Sequence, residues 1–294
     1  MPARLPTRFP ARFRLQMRPA RRRVAMACAL SLCAPRAAFA AAAADGDGSR
    51  LAEAIAGLHR LPADRDRDAA RHPFETLRFF GIAPDMAVIE VAPGAGWYTA
   101  ILAPYLRERG RLYAAHHARV GGTAYQRRSR ERFDAKLAAD PGLYGRIVVG
   151  EQPEPDHGFV GISPAGGADM VLTFRNLHNW MKAGHLDHSL RAFHAALGPQ
   201  GVLGIVEHRA DPGTPVAKMI ESGYMTEAFV IERASAAGLV LEARSEVNAN
   251  PKDTKDHPHG VWSLPPALRG QEVRRDAFLA IGESDRMTLR FRKA

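Results

Sequence analysis

Val88-Ile-Glu-Val-Ala-Pro-Gly-Ala-Gly96 is the stretch that decides the fold. Residues 86–91 form a short apolar run, the length of a buried parallel strand. The glycines that follow let the backbone turn sharply and let a ligand approach it closely. From about Trp97 to Arg109 the chain reads as a helix, closed by Gly110. A strand, a glycine turn and a helix start, in that order, put unpaired backbone N–H groups at the mouth of an open sheet. A bare tight turn, a nicotinamide dinucleotide loop and another cofactor cradle compete for this pattern. The dinucleotide pattern wants Gly or Ala three residues after Gly96, where Thr99 stands.

Outward from the loop the alternation continues. Apolar runs at 111–115, 146–149, 170–174 and 202–207 read as further strands. Helical patterns fall at 125–138, 185–197 and 226–237, the last two stopped by Gly198-Pro199 and Gly238. Residues 239–245 and 287–291 supply two final strands. The pattern predicts an α/β, Rossmann-like, doubly wound sheet of seven mostly parallel strands. Residues 246–285 are rich in Pro, Asn and Asp and long for a connection, which suits a flap over a binding site. Ahead of the sheet, residues 41–80 read as a small-residue linker and a helical extension, with Leu51, Ile55 and Leu58 at helical spacing. Inside that extension Asp64-Arg-Asp-Arg-Asp68 reads as solvated surface.

The net charge of +10 over 294 residues suggests a nucleic-acid partner until its distribution is examined. Nine of the 41 basic residues are arginines within residues 1–40, which hold no acid. The remaining 32 basic residues face 31 acidic ones, so overall charge makes no case for nucleic acid. Residues 1–40 instead read as a signal peptide: a basic block at Arg18 to Arg23, an apolar run at 24–34, and Ala38-Phe-Ala40 as a cleavage site. Met17 directly before the block is an alternative start. A periplasmic or secreted chain, with no membrane span after cleavage, is the expectation. Both cysteines, Cys28 and Cys33, fall in this leader, so the rest of the chain has no disulfide or thiolate chemistry.

Glu90 closing the first strand, with Ala92, Gly94 and Gly96, resembles the first motif of class I S-adenosylmethionine (SAM) methyltransferases, with Ala for the first Gly. The segments 169–180, 204–209, 248–257 and 281–287 resemble a group of exported bacterial predicted methyltransferases, over the chain from about Leu51 to its end. The resemblance implies the class I methyltransferase fold over residues 81–294, SAM as cofactor and a small-molecule substrate. It implies Glu90 near the cofactor amino group, Gly94 and Gly96 close to the methionine part of SAM, and Ala92 and Trp97 among the cofactor-binding residues. The acid that usually ends the second strand and holds the ribose is missing; His116, followed by His117, stands there.

Strand four runs into Arg175-Asn176-Leu-His178-Asn179-Trp180 and strand five into Glu207-His208-Arg209, toward the same mouth as the glycine loop. His178, His208 and Glu207 are the candidate catalytic groups, since a base is needed only if the acceptor must lose a proton. Arg175 and Asn176 join the cofactor side. Arg175 and Arg209 suit an anionic acceptor, and Asn179, Trp180 and Tyr224 complete the candidate substrate residues. Asp253, Asp256, His257 and His259 invite a metal reading but match no zinc pattern, so no metal is expected. The alternative function is an exported small-molecule binder on a methyltransferase scaffold, without methyl transfer.

Overall fold

The computed structural model describes residues 46–294. The expected signal peptide lies outside the described residues. Seven strands form one sheet: β1 (Ala87–Val91), β2 (Arg111–His116), β3 (Val148–Glu151), β4 (Ala168–Phe174), β5 (Leu197–His208), β6 (Leu239–Ser245) and β7 (Arg286–Lys293). Their order is β3-β2-β1-β4-β5-β7-β6. All neighbours from β3 to β5 pair in parallel, and β7 runs antiparallel to both β5 and β6. The strand order reverses between β1 and β4, where open α/β sheets bind their ligands.

The central strands carry almost continuous apolar side chains because both faces of a parallel sheet are covered. On one face Ile89, Val171 and Leu203 pack with Leu190 and Phe193 of α9 (Leu186–Ala196). On the other, Val88, Met170 and Leu172 pack with Ile101 and Leu102 of α5 (Thr99–Leu106) and with Leu77 and Phe80 of α4 (Pro73–Phe80). Fully burying each such side chain contributes roughly 1.5–3 kcal/mol. Pro73 starts α4, where a missing backbone N–H costs nothing. Thr123 and Gln126 cap α6 (Ala124–Ala139) with a reciprocal pair of hydrogen bonds.

The extension is part of this core. Helix α1 covers 46–56, inside the expected linker, and its Leu51 is buried with Leu77 and Phe80. Leu58 lies beyond the helix and is 89% exposed, so the expected three-residue face is cut short. Two single turns follow, α2 (Pro62–Arg65) and α3 (Asp68–Arg71). The charge run read as solvated is partly tied down: Asp68 accepts from Arg60 at 2.6 and 2.7 Å, and Arg67 pairs with Glu283 at 2.7 Å. Alternating charge marks a solvated face only when no buried counter-charge waits in the fold.

β3 lies two residues later than expected, and β5 starts at Leu197, so Gly198-Pro199 belongs to the strand instead of stopping a helix. Between the elements already named sit α7 (Pro141–Tyr144), α8 (Leu177–Lys182), α10 (Val216–Ser222) and α11 (Glu227–Ala236). The long connection into β7 holds a 3₁₀ turn (Gly260–Ser263) and α12 (Gln271–Ile281). Among the described residues no helix is long and apolar enough to cross a membrane.

Candidate functional site

The carboxyl ends of β1, β4 and β5 and the start of antiparallel β7 share one mouth, because His208 at the end of β5 stands opposite Arg286. A cavity of about 770 Å³ opens there, bordered by the glycine loop, α2–α3, the β4–α8 turn, the 3₁₀ turn with 264–267, and Glu283 and Ser284. That volume falls within the roughly 300–1,000 Å³ of small-molecule sites.

The glycine loop leaves β1 through left-handed backbone at Ala92 (φ 52°), Gly94 (φ 59°) and Gly96 (φ 78°). Its carbonyls are occupied. Gly94 O lies 3.0 Å from His116 Nε2, and Lys136 Nζ donates to Gly96 O at 2.9 Å. The amides of Gly94 and Ala95 have no acceptor among the described residues. A Cβ at Gly94 would meet no protein atom within 4 Å, whereas one at Gly96 would meet the Phe133 ring at 3.2 Å. Gly94 therefore fronts open space, and Gly96 allows close packing behind the loop. Glu90 is buried and accepts from Thr99 Oγ1 at 2.6 Å. Burial outweighs that bond and pushes its carboxyl up to about 7.

Across the mouth, His178 and Glu207 form a buried pair. Glu207 Oε1 lies 2.9 Å from His178 Nδ1 and accepts from the His208 amide at 2.8 Å, while Oε2 accepts from the His178 amide at 3.3 Å. Glu207 thus holds the proton on Nδ1 and leaves the His178 Nε2 lone pair free. His208 Nδ1 lies 2.6 Å from Ser284 Oγ. Burial, then the neighbouring His178 ring and three arginines, holds the His208 ring well below the usual histidine range, so it is neutral. Donor atoms of His178, Glu207 and His208 lie within 4.8 Å of one another, spacing that a metal ion could use. The Glu207 oxygens are already committed to three N–H groups, and Arg71, Arg175 and Arg286 all act on His208. That surplus of positive charge opposes a cation, and the arrangement is chemically that of an imidazole held by a carboxylate.

Four arginines converge on one carboxylate. Glu283 accepts from Arg67 Nε at 2.7 Å, from Arg71 Nε at 3.3 Å and from Arg286 Nη1 at 3.2 Å, and Arg175 Nη1 stands 4.0 Å away. Despite its burial, Glu283 is driven down to about 2 by these guanidiniums. Desolvation and the neighbouring Arg175 bring Arg71 down to about 9. Arg175 is also lowered, with desolvation the main cause, although its side chain keeps 26% of its surface: that surface borders the cavity. Apolar walls complete the cavity. Tyr98 stacks on Phe174 at 3.6 Å, and Trp262 stands edge-on to His178 at 5.9 Å.

Of the residues expected from sequence, the cavity gathers Glu90, Ala92, Gly94, Trp97, Arg175, Asn176, His178, Asn179 and His208. Gly96 and Glu207 stand one layer behind. Four others lie elsewhere. His116 is wholly buried and braces the loop through Gly94 O instead of facing a ligand. Arg209 is spent on Asp285, Glu227 and Glu246. Trp180 packs edge-on against Phe193 in the core. Tyr224 is buried and donates to Asp253. Asp253 also pairs with His257 at 2.8 Å and accepts the Asp285 amide at 2.8 Å, so it ties the flap down. Arg67, Arg71, Tyr98, Glu283 and Ser284 were not anticipated. The run Glu283-Ser-Asp-Arg286 just before a last strand was the available signal, since an antiparallel strand begins at the mouth where its parallel neighbours end.

No known family profile matches the sequence, and no curated protein does. Solved structures do match. The (4+2)-cyclase SpnF is 17% identical, with 79% of this chain and 81% of that one covered and a TM-score of 0.51. A putative sarcosine dimethylglycine methyltransferase from Galdieria sulphuraria is 12% identical, with 78% and 85% covered and a TM-score of 0.50. A SAM-dependent methyltransferase from Aquifex aeolicus is 21% identical, with 62% and 87% covered and a TM-score of 0.44. Strand order and the first two of these structures agree: the chain has the Rossmann-like, seven-stranded fold of class I methyltransferases.

Proposed function

We propose that this protein is a SAM-dependent methyltransferase acting on a small molecule held between the glycine loop and His178. The observation that carries the reading is the His178–Glu207 pair, buried and aimed into a cavity whose opposite wall is an open glycine loop. The residues fit the amino-acid half of SAM. Gly94 leaves room on its Cβ side, the Gly94 and Ala95 amides are free for a carboxylate, and Glu90 borders the same space. Bound there, SAM would supply an electrophilic methyl group. The chain's own part is to orient and to move one proton. Glu207 fixes His178 in the tautomer whose Nε2 accepts the acceptor's proton, and the carboxylate then stabilises the imidazolium. Tyr98, Phe174 and Trp262 exclude water around the acceptor.

One observation favours a second reading, a small-molecule binder that does not transfer methyl groups. His116 stands where a ribose-holding acid is expected and is buried against Gly94 O. A fold neighbour named as a cyclase fits the rule that fold alone does not dictate chemistry. Calorimetric titration with SAM and S-adenosylhomocysteine separates the two. We expect heat at micromolar ligand; no heat at high micromolar concentration refutes the first reading, and a different ligand in the purified protein supports the second. We propose export through residues 1–40 as well, which amino-terminal sequencing of the mature chain checks: it should begin at Ala41.

A further inference from the structure

Glu283 touches its arginines along their inner edges. Arg67 and Arg71 both reach it through Nε, and Arg286 reaches it through Nη1 while its remaining nitrogens bond Ser284 O and Ala70 O. The outer ends of Arg67 and Arg71, and the whole guanidinium of Arg175, have no hydrogen-bond acceptor among the described residues. Arg67 Nη2 is fully buried without a partner. Such orphaned donors are rare in folded proteins and call for an explanation. The Arg71 side chain is only 3% exposed, and what it leaves open borders the cavity.

The charges do not balance either. Four guanidiniums gather on Glu283, while Glu207, a buried carboxylate of the same mouth, is committed to the two histidines. A cluster of like charges out of water is costly unless an anion completes it. Arg175 is further held in left-handed backbone at φ 63°, a conformation a non-glycine residue keeps when its surroundings impose it. It precedes His178 by three residues, and both face the same cavity.

We propose that Arg67, Arg71 and Arg175, gathered on Glu283, form an oxyanion subsite that grips a carboxylate or phosphate of the acceptor, so that the substrate is an anion with an apolar body. Terminal guanidinium nitrogens present the two parallel donors that such groups accept. The stacked Tyr98–Phe174 rings and Trp262 receive the apolar part, beside the free nitrogen of His178. The free amides of Gly94 and Ala95 serve the methyl donor's own carboxylate, which leaves the guanidiniums to the acceptor. The assignment of this anion to an acceptor rests on the methyltransferase reading; the binding of an anion does not.

The test is calorimetry on the whole chain without any methyl donor, at fixed ionic strength, with benzoate, inorganic phosphate and neutral benzamide as probes. Benzoate or phosphate should bind at least about tenfold tighter than benzamide, and Arg175→Gln should remove about tenfold to a hundredfold of that affinity, the usual worth of a charged hydrogen bond. The tighter of the two anions names the group. Arg175 touches its neighbours least, so its variant should fold; Arg71→Lys, which keeps the charge but loses the fork, is the second variant. Equal binding of benzoate, phosphate and benzamide overturns the proposal, as does anion binding that neither variant weakens. Competition decides between the two sources of the anion. If SAM displaces benzoate and 5′-methylthioadenosine, which lacks the amino-acid end, does not, the arginines hold the donor and the acceptor assignment is overturned. If both leave benzoate bound, it stands. Failure of SAM to bind in a separate titration sinks the methyltransferase reading and leaves anion binding as measured.

Discussion

At the scale of single residues, Glu207 acts on the site through His178. Its carboxylate fixes which ring nitrogen is free. In Glu207→Gln the amide can serve either tautomer, so the His178 ring ¹⁵N shifts should move from one pure tautomer toward a mixture. Stability should fall by about 1–3 kcal/mol, the cost of an impaired buried charged hydrogen bond; an unchanged tautomer would show that Glu207 does not set it. The two loop glycines predict a split. Gly94→Ala pays mainly for its left-handed backbone, roughly 1–2 kcal/mol, but puts a methyl where a ligand would lie. Gly96→Ala adds a clash with Phe133 to the same backbone cost. Chemical denaturation should rank Gly96→Ala as the less stable, and SAM titration should show Gly94→Ala binding weakly while still well folded. These glycines and both histidines were legible in the sequence because spacing and strand ends expose them. Arg67 and Arg71 were not. Their meaning comes from Glu283, more than two hundred positions away, and nothing local distinguishes them from surface arginines.

Among the elements, the connection between β6 and β7 does most to shape the mouth. Its rigidity centres on Asp253, which accepts from Tyr224, His257 and the amides of Lys255 and Asp285. Asn248 pins its β6 end to Thr76 and Thr288. Asp253→Asn turns one acceptor oxygen into a donor facing donors. We expect about 1–3 kcal/mol of destabilisation, with hydrogen exchange rising over 247–264 before it rises in the central strands. Uniform acceleration across the sheet would mean that the flap has no separate stability. The existence of this flap was readable from its length, while its internal order was not: side chains that read as possible metal ligands turn out to be the flap's own fastenings. The strands were legible because burial on both faces leaves continuous apolar runs. The six-residue α8 was not, being too short to show a period.

For the whole molecule, two groups flanking the glycine loop make acid stability a contest. Burial lowers His116 to about 4, so between there and the ordinary histidine value near 6.5 the unfolded chain binds a proton that the native one refuses. Stability from this group is complete above about 6.5 and is lost as pH falls toward about 4. Glu90 works the other way: its folded value near 7 exceeds the ordinary 4.5, so its contribution declines as pH rises between them. Each swing amounts to about 3 kcal/mol. His208, also held neutral, tips the balance toward acid sensitivity. Denaturant titrations from pH 4.5 to 7 should therefore give a shallow rise in the native protein, a steeper rise in Glu90→Gln and a flattened or falling profile in His116→Gln. Parallel profiles in all three would sink this account.

β7 runs against its neighbours, so the start of the last strand, not its end, reaches the mouth. Glu283 and Ser284 just ahead of it, and Arg286 within it, bind Arg71, His208 and Ala70 in turn. A ribosome-bound chain that has not yet released these residues holds the glycine loop and His178, but neither the counter-charge of its guanidiniums nor the hydroxyl behind its second histidine. The cluster is complete only once the β6–β7 connection and β7 are in place, so a nick just ahead of Glu283 should loosen the guanidiniums and His208 while the glycine loop keeps its own contacts.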